Sequence, residues 1–133
     1  MLVRSARQGF AALNRRDFDV LVIGLDPNVV YHPRADEPDP SPHVGRDAYE
    51  RLVSGFFESF AEVTFEVLEL IDAGDHVIVS TVLHAVLHGQ ESASGAGVSD
   101  TYVFVFKSRD GLVVEGWEYR AKQEALEAVG LSE

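Results

Sequence analysis

Two apolar stretches near the C-terminal end carry polar groups in alternation. Tyr102, Phe104 and Phe106 fall on one face of a strand, because successive side chains of a strand point to opposite faces. In the next stretch Gly116, Glu118 and Arg120 share one face, and Glu115, Trp117 and Tyr119 the other. A carboxylate facing an apolar cavity has its pKa raised by desolvation and can serve as a general acid or base. Glu118 is therefore the candidate proton-transfer group, with Tyr102 a candidate hydrogen-bond donor. The plainer reading is a Glu118 that is exposed, or paired with Arg120 or Lys122, and a Tyr102 that is a core ring with a wet hydroxyl.

Five histidines invite a metal reading. His76, His84 and His88 share a strand face by parity, but four residues of strand span about 13 Å, too far for His84 and His88 to hold one ion. His32 and His43 bracket Asp36, Glu37 and Asp39, which a solvated acidic loop explains better than a cation site. The expectation is no metal. The glycine-rich nucleotide fingerprints, H-E-x-x-H and G-x-S-x-G are all absent, so no motif supports a nucleotide cofactor or a serine nucleophile.

The elements that must position these groups follow from periodicity. Val3, Ala6, Phe10 and Leu13 recur at helical spacing. Asp17 is a plausible N-cap for a second helix over Phe18 to Leu25, stopped by Asp26-Pro27. Val29 to Tyr31 reads as a short strand. The stretch from His32 to His43 holds four prolines and reads as an extended loop, long enough to be a lid or a binding loop. Tyr49, Leu52, Val53, Phe56, Phe57 and Phe60 make the clearest helical stripe. From Val63 the period changes to two, giving strands over Val63 to Ile71, His76 to Leu87, Val98 to Lys107 and Leu112 to Tyr119. Their turns are Asp72 to Asp75, the Gly/Ser/Ala stretch from Gly89 to Gly97, and Ser108 to Gly111. Short connections imply an antiparallel meander. A helix from Lys122 to Val129 closes the chain, with Gly130 as its cap. Helices first and strands later point to an α+β fold, with a curled sheet leaving a cavity against the helices.

The 133 residues fit one domain, expected to span 1–133, and 46% hydrophobic content suits a folded core. With no cysteine there is no disulfide, thiolate metal site or cysteine nucleophile. Eleven Lys plus Arg against 22 Asp plus Glu leave a formal net charge of −11, which repels phosphate backbones and anionic lipid. Nucleic acid and membrane surfaces are not expected partners. The start, Met1 to Arg7, lacks the long apolar stretch of a secretion signal, and no apolar run approaches a membrane span. A cytoplasmic protein is expected.

The ordered segments Ala11-Ala12-Leu13-Asn14-Arg15-Arg16-Asp17-Phe18-Asp19, Asp26-Pro27-Asn28-Val29-Val30-Tyr31-His32-Pro33, Gly45-Arg46-Asp47-Ala48, Asp110-Gly111-Leu112-Val113-Val114-Glu115 and Glu124-Ala125-Leu126-Glu127-Ala128-Val129-Gly130-Leu131 cover nearly the whole chain. With them it resembles the SnoaL-like branch of the nuclear transport factor 2 superfamily, which also holds ketosteroid isomerases and limonene epoxide hydrolase. The resemblance implies a cone-shaped α+β fold. A curved antiparallel sheet would wrap three N-terminal helices around an internal pocket, a short helix would end the chain, and two copies would pair through the sheet. Phe10, Phe56, Phe104 and Gly116 are then expected to line the pocket.

Catalytic positions carry over unevenly. Against ketosteroid isomerases, the oxyanion-hole tyrosine of the first helix falls at Gly9. The proton-shuttling aspartate falls at His32, and the second oxyanion donor at Tyr102. Against polyketide cyclases and the epoxide hydrolase, the last-strand aspartate falls at Glu118. The hydrolase's Arg-x-Asp would fall near Thr81 and Leu83, which cannot form an ionic pair. The close relatives' last-strand Tyr-x-Asp reads Tyr119-Arg120-Ala121, without the carboxylate.

Two functions are weighed. In the first, an enzyme acts on a small apolar carbonyl compound by proton abstraction, without a cofactor. Glu118 is its base, Tyr102 the donor to the developing enolate, and His32 an acid–base partner at the pocket mouth. In the second, the chain is a non-catalytic ligand-binding or scaffolding homodimer, consistent with the incomplete constellations. A partner-binding module using the acidic surface is a third possibility that no residue singles out. The outer sheet face, with Glu115, Trp117, Tyr119 and His84, is the expected dimer interface.

Overall fold

The computed structural model describes residues 2–90 and 97–131. Helix α1 (Leu2–Asn14) and the short α2 (Phe18–Ile23) open the chain. Asp17 caps α2, its carboxylate accepting the Val20 N–H at 3.3 Å. Two elements differ here from the periodicity reading. α2 stops at Ile23 rather than Leu25, and strand β1 runs over Leu25–His32. Leu25 already pairs with Val113, so the sheet claims it before the helix can. Pro27 is accommodated because the register shifts between Leu25 and Val30, which frees that stretch from the ladder.

The proline-rich segment leaves β1 and returns as a two-residue strand β2 (His43–Val44) antiparallel to it, with His43 opposite Tyr31. Helix α3 (Arg46–Glu58) follows, and Arg46 ties its start to β1 by donating from Nε to the Leu25 carbonyl at 2.7 Å. The aromatic stripe of α3 faces the core, and Phe57 is fully buried.

Strands β3 (Glu62–Ala73), β4 (His76–Val86), β5 (Gly97–Arg109) and β6 (Leu112–Tyr119) form the expected meander. Asp110 and Gly111 both take positive φ, the pairing that a tight hairpin between right-twisted strands requires. Most of the turn expected between Gly89 and Gly97 lies outside the described residues. The sheet order is β2-β1-β6-β5-β4-β3, with β1 parallel to β6. That parallel junction was not legible from local pattern.

The inner face of the sheet packs on α1 and α3 around Phe10, Phe57, Phe65, Val77, Val79 and Phe104. Helix α4 (Lys122–Ala128) lies on the outer face over Ile78, Val103 and Val105, beside Trp117 and Tyr119. Gly130 ends it as expected: the Gly130 N–H donates to Glu127 and the Leu131 N–H to Leu126. The outer patch expected to pair two chains is thus partly covered by the chain's own last helix. Among the described residues, no helix is long and apolar enough to cross a membrane.

Candidate active site

Strand parity on β5 and β6 acts as the sequence suggested. Phe104 pairs with Glu118 and Phe106 with Gly116, which puts Tyr102, Phe104 and Glu118 on the inner face. There they border a cavity of about 150 Å³ between α3, the sheet and the proline-rich segment. Phe56, Phe65 and Tyr102 form its aromatic wall, while Pro33, Glu37 and Asp39 close it from the loop side. Phe56 and Phe104 stand in the lining of this cavity together with Glu118.

Glu118 is neither free nor paired with Arg120 or Lys122. Its Oε2 accepts a hydrogen bond from the Tyr31 hydroxyl, and its Oε1 accepts the Arg34 backbone N–H at 3.3 Å. Arg120 instead meets Asp36 at 3.2 Å, and Lys122 meets Glu69 at 3.1 Å. Burial pushes the Glu118 carboxyl above its ordinary range, the two hydrogen bonds pull it back in part, and the nearby Glu37 adds to the rise. The result is a more basic carboxylate than one in water.

The tyrosines around it are held protonated. Burial pushes Tyr102 up to about 12 despite the opposing Arg34 charge. Burial and then Glu118 also raise Tyr31 and Tyr49. All three remain hydroxyl donors near neutral pH. Tyr31 donates to Glu118, and Tyr102 reaches Glu37 at 3.5 Å. Tyr49 lines the cavity with its ring edge-on to Tyr31, 5.0 Å between centroids.

Arg34 joins the loop to the site. It is only 8% exposed, and its guanidinium lies 4.3 Å from the Tyr102 ring centre. It donates to Asp36 at 3.0 Å, to the Thr101 carbonyl at 3.0 Å and to Asp100 at 3.1 Å. Burial works against its charge, but Tyr102, Asp100 and Asp36 together hold it more firmly protonated than a free arginine. The same residue therefore aims its backbone at Glu118 and its side chain at Tyr102.

Three expected site residues stand elsewhere. His32 is on the outer face, its Nε2 2.7 Å from Glu115 and its ring stacked on Trp117. The reason is parity: Tyr31 opposes Gly116 on the inner face, so its neighbour must face outward. Gly116 is not in the lining of this cavity. A Cβ there would stand 2.9 Å from Tyr31 Cδ1 and 3.1 Å from Phe106 Cδ1, so the glycine makes room for the ring that reaches Glu118. Phe10 borders a second, larger cavity under α1 and α2 instead.

Tyr31, Tyr49 and Arg34 were missed because their signal is not local. Each is an ordinary residue until β1, the loop and α3 are brought against β6. Thr81, where the hydrolase arginine would fall, is buried and donates to the Tyr102 carbonyl at 2.8 Å, while Leu83 is a core residue. The histidines on and after β4 are also dispersed: His84 meets Glu66 at 2.9 Å, and His88, in the turn past the strand, meets the Glu58 carbonyl at 2.8 Å.

A helix-backed, curved sheet closed around a pocket with a half-buried carboxylate on its wall defines the class. The chain belongs to the SnoaL-like domain family, which matches residues 6–116. Solved structures share the fold at low identity. Bal32a, from a soil-derived mobile gene cassette, is 22% identical with a TM-score of 0.74, over 86% of this chain and 85% of that one. A proposed polyketide cyclase from Xanthomonas campestris is 21% identical with a TM-score of 0.72, over 95% and 94%. A protein with a ketosteroid isomerase-like fold from Catenulispora acidiphila, in complex with trimethylamine, is 15% identical with a TM-score of 0.73, over 96% and 92%. Among curated proteins none matches significantly.

Proposed function

We propose that the protein is a cofactor-independent enzyme that moves a proton on a small apolar carbonyl compound, in the manner of an isomerase or cyclase. One observation carries this reading: Glu118 is a half-buried carboxylate, raised in basicity, at the wall of an aromatic cavity with protonated tyrosines around it. Glu118 would take a proton from the carbon beside the carbonyl. The C–H electron pair becomes the new C=C bond, and the carbonyl π pair moves to oxygen. The Tyr102 hydroxyl, and Tyr49 across the cavity, would donate to that oxygen as its charge develops. Returning the proton to another carbon completes an isomerisation; in a ring closure the enolate carbon instead bonds to a second carbonyl carbon of the same molecule, whose π pair moves to its oxygen, and that oxygen takes the proton from Glu118.

Tyr31 keeps the carboxylate oriented, and Arg34 holds the loop wall. Glu37, Asp39 and Glu118 make the lining acidic, which favours a neutral substrate over an anionic one. We further propose one domain over residues 1–133, acting as a cytoplasmic homodimer. The exposed outer-face residues beyond α4, such as Glu66 and His84, are available to a second copy. His32, off the cavity, has no part in this scheme.

The test is exchange of the α-hydrogens of acetophenone for deuterium in D2O, followed by NMR, which reads proton abstraction alone. The protein should exceed the buffer rate, and Glu118→Gln should lose at least 100-fold of that excess. An unchanged Glu118→Gln rate overturns the reading. A second reading, a non-catalytic ligand-binding or scaffolding homodimer, is favoured by the fact that both Glu118 oxygens already accept hydrogen bonds. Saturable acetophenone binding with no exchange would decide for it.

A further inference from the structure

A second cavity of about 310 Å³ lies under α1 and α2, at the opposite end of the inner face from the proline-rich segment. Gly9, Phe10, Leu21, Val77, Phe106 and Val113 line it. Its mouth is rimmed by Val20 and Ile23, exposed at 48% and 68%. Leu13 and Tyr49 border both cavities, so two side chains form the partition between them. The larger cavity has none of the carboxylates of the smaller one.

Size is the first argument. A cavity of about 150 Å³ holds a single benzene-sized ring, whereas binding sites for drug-sized molecules run from about 300 Å³ upward. The Glu118 cavity alone therefore takes one ring or a short chain. The larger cavity has twice that room. Chemistry is the second argument. Carboxylates line the smaller cavity alone, whereas the larger one has mainly apolar walls, with Ser5, Gln8 and the shared Tyr49 as its polar groups, so the pair matches a molecule with one polar end. Gly9 is the third. A Cβ there meets only Leu21 Cδ1, at 3.9 Å, so the position leaves open space on the wall of the larger cavity.

We propose that the two cavities are successive compartments of one binding site for an elongated, neutral, amphipathic molecule. Its apolar body occupies the space under α1 and α2, having entered between Val20 and Ile23, and its carbonyl end passes Tyr49 and Leu13 to reach Glu118. The placement of the carbonyl end rests on the proton-transfer reading above; the apolar compartment does not. Tyr49 then has two roles, as partition and as donor to the group that passes it. Gly9 sets the length of ligand accepted.

The experiment compares acetophenone, 4-hexylacetophenone and hexylbenzene by isothermal titration calorimetry against the wild-type chain, Gly9→Leu and Gly9→Ala. Each buried methylene tightens binding about threefold to fourfold, so the hexyl chain should improve the acetophenone affinity at least 30-fold. Hexylbenzene, which has no carbonyl, should also bind. Gly9→Leu should weaken both hexyl compounds at least tenfold and leave acetophenone within twofold. Gly9→Ala, which favours the helix and adds one methyl, should fall between, and it stands in if the larger substitution impairs folding. Binding of hexylbenzene that Gly9→Leu removes, with no acetophenone exchange, would sink the proton-transfer reading and keep the compartment. No gain from the hexyl chain, or equal loss of all three ligands in Gly9→Leu, overturns the compartment.

Discussion

Tyr31 and Glu118, 87 residues apart, meet hydroxyl to carboxylate across the parallel β1–β6 junction. Gly116 makes this meeting possible, because its missing side chain lets the Tyr31 ring lie against β6. The contact orients the carboxylate and lowers its basicity from the value that burial alone would set.

Glu118→Gln should change the pH dependence of stability. The folded carboxyl titrates above its unfolded value, so the native state binds the proton more tightly and is favoured at low pH. That contribution fades as pH rises from the ordinary glutamate range through the raised folded value. The wild-type chain should therefore lose stability over that window while the Gln variant does not. Thermal melts between pH 4 and pH 8 would show the two curves diverging; parallel curves would contradict the burial of Glu118.

Tyr31→Phe removes one hydrogen bond that holds Glu118 in its charged form. The carboxyl should become still more basic, so the acidic limb of the pH–rate profile should move to higher pH. The cost in stability should be about 1 kcal/mol, since a half-buried acceptor loses one partner and keeps the Arg34 N–H. Urea titration and the pH profile of deuterium exchange check both parts.

Gly116→Ala should destabilise by about 1–3 kcal/mol, because its new methyl overlaps the Tyr31 and Phe106 rings. It should also lower exchange activity by pushing Tyr31 off Glu118. Combined with Tyr31→Val it should cost less than the sum of the two single changes, since the overlap disappears. Additive costs would refute the steric account.

Arg34→Met keeps the buried stem and removes the guanidinium. Asp36 and Asp100 are partly solvated and can turn to water, so the loss should be about 2 kcal/mol, below that of breaking a fully buried pair. Amide hydrogen exchange in residues 34–42 should quicken while the β3–β4 hairpin keeps its protection. Uniform loss of protection would mean that Arg34 serves the whole fold and not the loop.

His32→Ala should leave kcat/KM for the exchange reaction within twofold, because its ring lies on Trp117 on the far face of the sheet. Its stability cost should be about 1 kcal/mol, from the lost stacking and a partly exposed Glu115 contact. A large loss of activity would mean that the outer face reaches the cavity.

Local pattern by itself determined most of the elements and half of the site. The aromatic stripe of α3, the meander from Val63 onward and the Gly130 cap all follow from periodicity and backbone chemistry that neighbouring residues settle among themselves. Parity likewise grouped Tyr102 with Phe104 on one face of β5 and Glu118 with Gly116 on one face of β6, since alternation along a strand is local, while the pairing of Phe104 with Glu118 is what makes the two faces one. What the tertiary structure decided was every relation that runs between distant segments. Strand β1 carries a register shift around Pro27 and pairs parallel to β6, and that pairing alone chooses Tyr31 over His32 as the residue facing Glu118. The proline-rich segment folds onto Tyr102 through Arg34, and α4 covers the Trp117 patch that parity had left open. In each case the physical reason is the same: a side chain's partner across the sheet depends on register and docking, which the chain settles only when its whole core packs.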